Sequence, residues 1–139
     1  MSDKVDFELV SPDELLMSQH VDMVVVPGSE GYFGVLAGHI PLITTVRPGA
    51  IQIYEDERVV DRIFVTGGFA EVAGDRCTVL VEGAIKVSKL DRAKVEQDIK
   101  NYSEDVEDAK TDDEREVAKF NLDVAQAQLQ AIVEALSLH

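Results

Sequence analysis

The sequence is short of basic residues, cysteine and long apolar runs, and each shortage removes a class of function. Lysine and arginine number 13 against 27 aspartates and glutamates, a formal net charge of −14. A protein so acidic repels phosphate backbones and anionic headgroups, which sets aside nucleic acid and direct lipid insertion. No apolar run approaches the roughly 20 residues that a membrane-spanning helix needs. The start, Met1-Ser2-Asp3-Lys4-Val5-Asp6, reads as neither a signal peptide nor an arginine-rich transit sequence, so the chain is expected to act where it is made. Cys77 is the single cysteine, so no intrachain disulfide forms, which fits a reducing cytosol.

Groups that could carry chemistry are equally sparse. His20, His39 and His139 lie far apart with no paired ligand spacing, so neither a zinc site nor a Cys/His nucleophile is supported. Ser11 and Ser18, with Asp13 and Glu14 nearby, assemble no triad and read as surface turn. Cys77 shares a strand face with Val79 and Val81 and reads as a small buried hydrophobe. No catalytic residue, metal or cofactor is expected. What remains is a protein with surfaces.

Those surfaces sit on two segments of different periodicity. From Val5 to about Val87 the apolar pattern is two-fold: Val5, Phe7 and Leu9 alternate with acids, and Ile51 and Ile53 with Gln52 and Tyr54. Further strands read at 21–26, 59–65, 69–73, 77–81 and 84–87. No connection is long enough for a crossover helix, so parallel pairing is not expected and an antiparallel sandwich or barrel is the default.

At Ser88 the period changes. Ser88 with Asp91 three residues on has the spacing of a capped helix start, and Val95, Ile99, Tyr102, Val106 and Ala109 form one stripe of a helix to about Lys110. Thr111 and Glu114 have capping-box spacing, which starts a second helix over about 112–136. That helix carries two apolar stripes, Val117-Phe120-Val124-Ala127-Ala131 and Leu122-Ala125-Leu129-Ile132-Leu136. The expected fold is therefore α+β: an antiparallel β-sandwich at 1–87 followed by an antiparallel two-helix hairpin at 88–139.

The chain is organised around the run Pro27-Gly28-Ser29-Glu30-Gly31-Tyr32-Phe33-Gly34-Val35-Leu36-Ala37-Gly38-His39-Ile40-Pro41-Leu42-Ile43-Thr44, closing at Arg47-Pro48-Gly49. Recurrent glycines and prolines predict a series of tight turns. Phe33, Val35, Leu36, Ile40, Leu42 and Ile43 are expected to anchor it to a core, leaving Ser29, Glu30, Tyr32 and His39 to project. The glycines lack the Gly-Lys-Ser/Thr ending of a phosphate cradle.

This run, together with Thr66-Gly67-Gly68-Phe69-Ala70-Glu71-Val72, resembles the two signatures of the epsilon subunit of bacterial F-type ATP synthases, and the length and layout match as well. The resemblance implies a β-sandwich, no enzymatic activity of its own, and a place in the central stalk on the cytoplasmic face of the bacterial inner membrane. It also implies two contacts: Ser29, Glu30, Gly31 and Tyr32 facing the c-ring, and an opposite surface with His39, Pro41 and Phe69 facing the gamma subunit. Tyr32 stands where many relatives carry an acid, which leaves Glu30 as the ionic contact. The hairpin is a candidate for contact with the alpha and beta catalytic subunits. A stand-alone nucleotide- or small-molecule-sensing module with a closing hairpin is the alternative reading.

Two family features weaken here. Nucleotide-binding relatives begin the hairpin with an Ile/Leu-Asp-x-x-Arg-Arg-like motif; this sequence keeps Leu90-Asp91 but continues Arg92-Ala93-Lys94, so Asp91 and Arg92 are the remnants of such a site. In inhibitory relatives basic hairpin residues engage an acidic segment of the beta subunits, whereas residues 86–139 here hold eight Lys/Arg against thirteen Asp/Glu, net −5. Acid would meet acid, so the hairpin is expected to act as a structural prop or a weak inhibitor. ATP binding, which needs compensating donors, should be weak or absent. Isothermal calorimetry of the protein with ATP is expected to show no saturable binding up to about millimolar concentration, about 4 kcal/mol of affinity; saturation below that would reverse the conclusion.

Overall fold

A computed structural model describes residues 3–137; Met1, Ser2, Leu138 and His139 lie outside them. Ten strands precede two helices: β1 (Val5–Val10), β2 (Leu15–Val21), β3 (Met23–Gly28), β4 (Gly31–Val35), β5 (His39–Val46), β6 (Gly49–Glu55), β7 (Arg58–Val65), β8 (Gly68–Gly74), β9 (Arg76–Val81) and β10 (Ala84–Lys86). A turn of 3-10 helix at Val87–Lys89 leads into α1 (Arg92–Asp108) and α2 (Asp112–Ser137). The chain divides into two compact units between Lys86 and Val87.

In the first unit the strands pair in the order β10-β7-β6-β3-β5-β8-β9-β1-β2, with β4 on β3. The path bends where β3 meets β5 through one residue pair, Gly28 with Val46. Two five-stranded layers result, β10-β7-β6-β3-β4 and β5-β8-β9-β1-β2. Two-fold alternation turns one face of each inward. Val24, Val26, Val35, Ile51, Ile53, Ile63 and Val65 come from the first layer, and Val5, Phe7, Leu9, Ala70, Val72, Cys77, Val79 and Val81 from the second; together they form one buried cluster. Cys77 is fully buried there and its thiol is pushed up to about 12 by desolvation, so it acts as a small apolar side chain and not as a thiolate.

The structure departs from the sequence expectation at several points. Residues 27–49 are not a string of turns: β4 and β5 run through them, because their glycines and Pro41 fall at hairpin ends and on an exposed strand face rather than in a central ladder. The segment with Ser18 is strand β2 and not a surface turn; its exposure, at a sheet edge with one neighbour, hid the alternation. β1 and β9 pair in parallel. The link between them is most of the sandwich itself, so no crossover helix is needed. The last strand ends at Lys86, one residue before Val87, and the hairpin helix begins after Asp91 rather than Ser88. Asp91 Oδ1 accepts from the backbone N–H groups of Ala93 and Lys94 at 3.0 and 3.3 Å and so outcompetes the serine as cap.

In the second unit α1 and α2 pack on each other through a short reversal. Thr111 Oγ1 accepts from the Glu114 N–H at 3.1 Å, and Glu114 Oε2 reaches back to the Lys110 N–H at 3.0 Å, the reciprocal bonds that the sequence spacing predicts. Ala118 and Ala125 are buried on α2 with Leu122, Leu129 and Ile132 half-covered along the same face, whereas Val117 and Phe120 of the other stripe are exposed. Of the two predicted stripes the second is the more covered, although Ala131 of the first is buried as well.

Lys4 ties the start of β1 to the first layer. Its Nζ lies 2.7 Å from Asp22 Oδ1 and 2.8 Å from Glu55 Oε2; Glu55 Oε1 accepts from the Asp22 N–H, and Asp22 Oδ2 from the Asp56 N–H. The hydrogen bonds from Lys4 and from the Asp56 amide hold the Asp22 carboxyl below the usual carboxylate range, and the two carboxylates raise the ammonium. A depressed acid stabilises the fold above its unfolded value, about pH 4, and that contribution is lost as pH falls through its folded value; the raised lysine contributes up to about pH 10. Lys4→Met should lower the urea midpoint near pH 7, and the gap to the unsubstituted protein should narrow near about pH 3. A gap independent of pH would refute the clamp.

Backbone packing is least forgiving at Gly68, at φ +151°, where an added Cβ would drive into the Leu80 carbonyl oxygen on β9. Gly74 also has positive φ, at +60°, but nothing lies within 4 Å of its Cβ direction. Gly68→Ala is expected to cost about 3 kcal/mol or more and Gly74→Ala about 1–2 kcal/mol in denaturant unfolding of the full protein. Equal costs would show that backbone angle, and not the clash, sets the requirement.

Candidate functional site

The hairpin between β3 and β4 turns at Ser29 and Glu30, flanked by the pair Gly28–Gly31. Both side chains at the turn are exposed at the sheet end. Neither Ser29 nor Glu30 has positive φ, so the turn is not of the primed type that matches the twist of paired strands. The β6–β7 turn is different: Asp56 and Glu57 sit at φ 51° and 66°, the left-handed pair that a primed turn requires. The first turn is held from outside. The Ser29 N–H donates to the Thr45 carbonyl at 3.0 Å, the Arg47 N–H to the Pro27 carbonyl at 2.9 Å, and Arg47 Nε to the Gly28 carbonyl at 3.1 Å. A side chain at Gly28 would meet the Phe33 ring at 2.9 Å, and Gly31, at φ +128°, favours glycine by its backbone angle.

Tyr32 is 44% exposed beside the turn but braced on one side. The Arg47 guanidinium stands over its ring, 4.8 Å from the centroid, and its hydroxyl lies 3.0 Å from where a Cβ on Gly49 would be. Ser29 and Glu30 form the open turn, and Tyr32 is held next to it while keeping an exposed side.

The outer face of the second layer is unusually apolar. Cross-strand register sets Thr45, Phe69 and Leu80 in one row and Ile43, Glu71 and Thr78 in the next. Ile43 is 73% exposed, Phe69 57% and Leu80 44%, and Ile40, toward the start of β5, is 76% exposed. Ile40 and Ile43 thus face solvent rather than anchoring the core, as does Leu36; Phe33, Val35 and Leu42 supply the anchorage. A kink in register between His39 and Leu42 turns this stretch of β5 outward.

Phe69 and the tip are close neighbours in the fold rather than on opposite surfaces, since Thr45 pairs with Phe69 and its carbonyl receives the Ser29 N–H. His39 pairs with Gly74 at the far end of β5, about 20 Å of strand away. It is half-buried, its Nδ1 hydrogen-bonded to the Ile40 carbonyl, and the adjoining turn is fixed by a 2.9 Å bond from the Gly38 N–H to Asp75 Oδ1. Pro41 is exposed on the same stretch. Asp91 and Arg92 are engaged locally, the first as helix cap and the second in a 3.6 Å pair with Glu96.

At the hairpin reversal a cleft of about 550 Å³ is lined by Asp105, Asp108, Asp113, Glu114 and Val117 among others. Among the described residues no group of histidine, cysteine and carboxylate side chains could hold a metal ion, and no helix is long and apolar enough to cross a membrane. Sequence reasoning alone misses Arg47 as the tip's clamp and Ile40, Ile43 and Leu80 as surface. The position of Arg47 at the close of the glycine-rich run is the available signal.

Known proteins resemble this one along its whole length. Residues 4–87 match the family model of the β-sandwich domain of the ATP synthase delta/epsilon chain, and residues 91–139 match that of the C-terminal domain of the ATP synthase epsilon chain. The ATP synthase epsilon chain of Rhodospirillum centenum is 53% identical over 137 residues, covering 95% of this chain and 94% of that one. That of Rhodospirillum rubrum is 44% identical over 136 residues, covering 98% and 96%. A subunit in the structure of the Euglena gracilis mitochondrial ATP synthase superposes with a TM-score of 0.82 at 20% identity, over 100% of this chain and 84% of that one. One from the central stalk and c-ring of the Tetrahymena thermophila mitochondrial enzyme gives 0.61 at 17%, over 96% and 97%. Sandwich, hairpin and relatives converge, and the chain belongs to the ATP synthase epsilon chain family.

Proposed function

We propose that the protein is a non-catalytic rotor subunit that couples the gamma subunit to the c-ring, with at most weak regulation of ATP hydrolysis by its hairpin. The observation that carries this reading is the outward apolar surface on β5, β8 and β9. Four large side chains, Ile40, Ile43, Phe69 and Leu80, face water on a sheet that needs none of them for its core. Such a patch on a rigid layer suits a permanent protein interface, because its strands lose little freedom on docking. Gamma is its partner, with His39 and Pro41 continuing the contact along β5. The stiff acidic tip at Ser29-Glu30, with Gly31 and Tyr32 behind it, meets the polar loops of the c-ring.

Torque then passes through the sandwich as through a solid coupling. The hairpin's acids gather at the end of α1 and the first turn of α2, where Asp112, Asp113 and Glu114 favour the positive helix end. They repel any acidic segment of the alpha and beta subunits, which keeps inhibition weak. Held through gamma and the ring, the protein sits peripherally on the cytoplasmic face of the bacterial inner membrane.

Mixing the protein with purified gamma is expected to give a one-to-one complex by size-exclusion chromatography with light scattering. Phe69→Ser or Ile43→Ser should weaken it by about tenfold or more without loss of fold, since both side chains are exposed. Elution of the protein alone at high micromolar concentration would remove the rotor assignment.

A further inference from the structure

The tip raises a mechanical question that rests on the ring contact proposed above: what keeps a two-residue turn without a primed pair of angles rigid enough to transmit force? Its own residues supply only part of the answer: the positive φ falls at Gly31 and not at Ser29 or Glu30, yet β3 and β4 stay paired up to Gly28 and Gly31. We infer that Arg47 is a positioning residue for the ring contact, holding the Ser29–Glu30 tip in place through three contacts from one side.

Its backbone N–H holds Pro27 at 2.9 Å, its Nε–H holds Gly28 at 3.1 Å, and its guanidinium lies on the Tyr32 ring at 4.8 Å. Pro27 and Tyr32 are themselves a cross-strand pair, so Arg47 grips both strands just behind the turn. Tyr32 is in turn backed by Gly49, where any side chain would displace its hydroxyl. The arrangement needs a planar cation with a donor at Nε. Lysine offers a point charge on a flexible stem; it can reach a carbonyl or the ring but cannot stack flat and donate from the same position.

The test uses the full protein with Arg47→Lys, Arg47→Met and, as a control on the tip itself, Glu30→Ala. Two quantities are read: amide hydrogen exchange in the free protein, and affinity for gamma alone against affinity for a gamma–c-ring assembly. Both Arg47 variants should speed exchange at Ser29, Glu30 and Gly31 about tenfold, the weight of one such anchor, with Ile51, Ile53 and Val79 unchanged. Both should weaken binding to the gamma–c-ring assembly by a similar factor and leave binding to gamma alone as it was. Unchanged tip exchange with weakened ring binding would mean that Arg47 touches the ring directly, which overturns the positioning role. Full ring affinity in Arg47→Lys would overturn it as well. If Glu30→Ala weakens ring binding and the Arg47 variants do not, the inference fails while the ring contact stands. If none of the three affects ring binding, the ring contact fails and the inference with it.

Discussion

The two layers of the sandwich are joined across β3 and β5 by a single ladder pair, Gly28 with Val46, and the exposed Ser29–Glu30 turn lies directly beyond that bend. Gly28 admits no side chain because the Phe33 ring fills the space where one would go. Val46 is buried, so the pair is fixed from the core side. Directly beyond it lie the Ser29 bond to Thr45 and the Arg47 bond to Pro27. Directly beside it Gly68 passes so close to Leu80 that only a bare α-carbon fits. The glycines of both sequence signatures thus meet at one place, which explains why two motifs far apart along the sequence form one structural unit.

Most of the fold is legible from period alone. Val5-Phe7-Leu9, Ile51-Ile53 and Cys77-Val79-Val81 alternate and are buried as alternation predicts. The helical hairpin shows itself through its spacing and its Thr111–Glu114 cap. What escapes are strands whose side chains do not obey a one-sided pattern. β2 is exposed along nearly its whole length, and β5 carries isoleucines on its outer face. An isoleucine on β5 suggests core by its residue type, whereas its environment is set by where the strand lies in the sheet. The parallel contact of β1 with β9 is a matter of topology, which local sequence does not encode.

The candidate site is legible in its address but not in its construction. Ser29, Glu30 and Tyr32 are all exposed as the sequence implies, but a cation from beyond the end of β5 also reaches over the Tyr32 ring. Long-range pairing of that kind leaves no local signature. The helix cap shows the same limit on a smaller scale: Ser88 and Asp91 both qualify by residue type, and only the geometry, with two N–H groups converging on one carboxylate oxygen, selects the aspartate.

The dissimilar turns of the first layer draw their shape from different ranges of sequence. The Asp56–Glu57 turn has its curvature built into its own angles, so that hairpin can close from local sequence. The Ser29–Glu30 turn is instead bonded from outside by Thr45 and Arg47, at the end of β5 and just beyond it. A change in β5 is therefore felt at the tip, whereas the Asp56–Glu57 turn keeps its own angles.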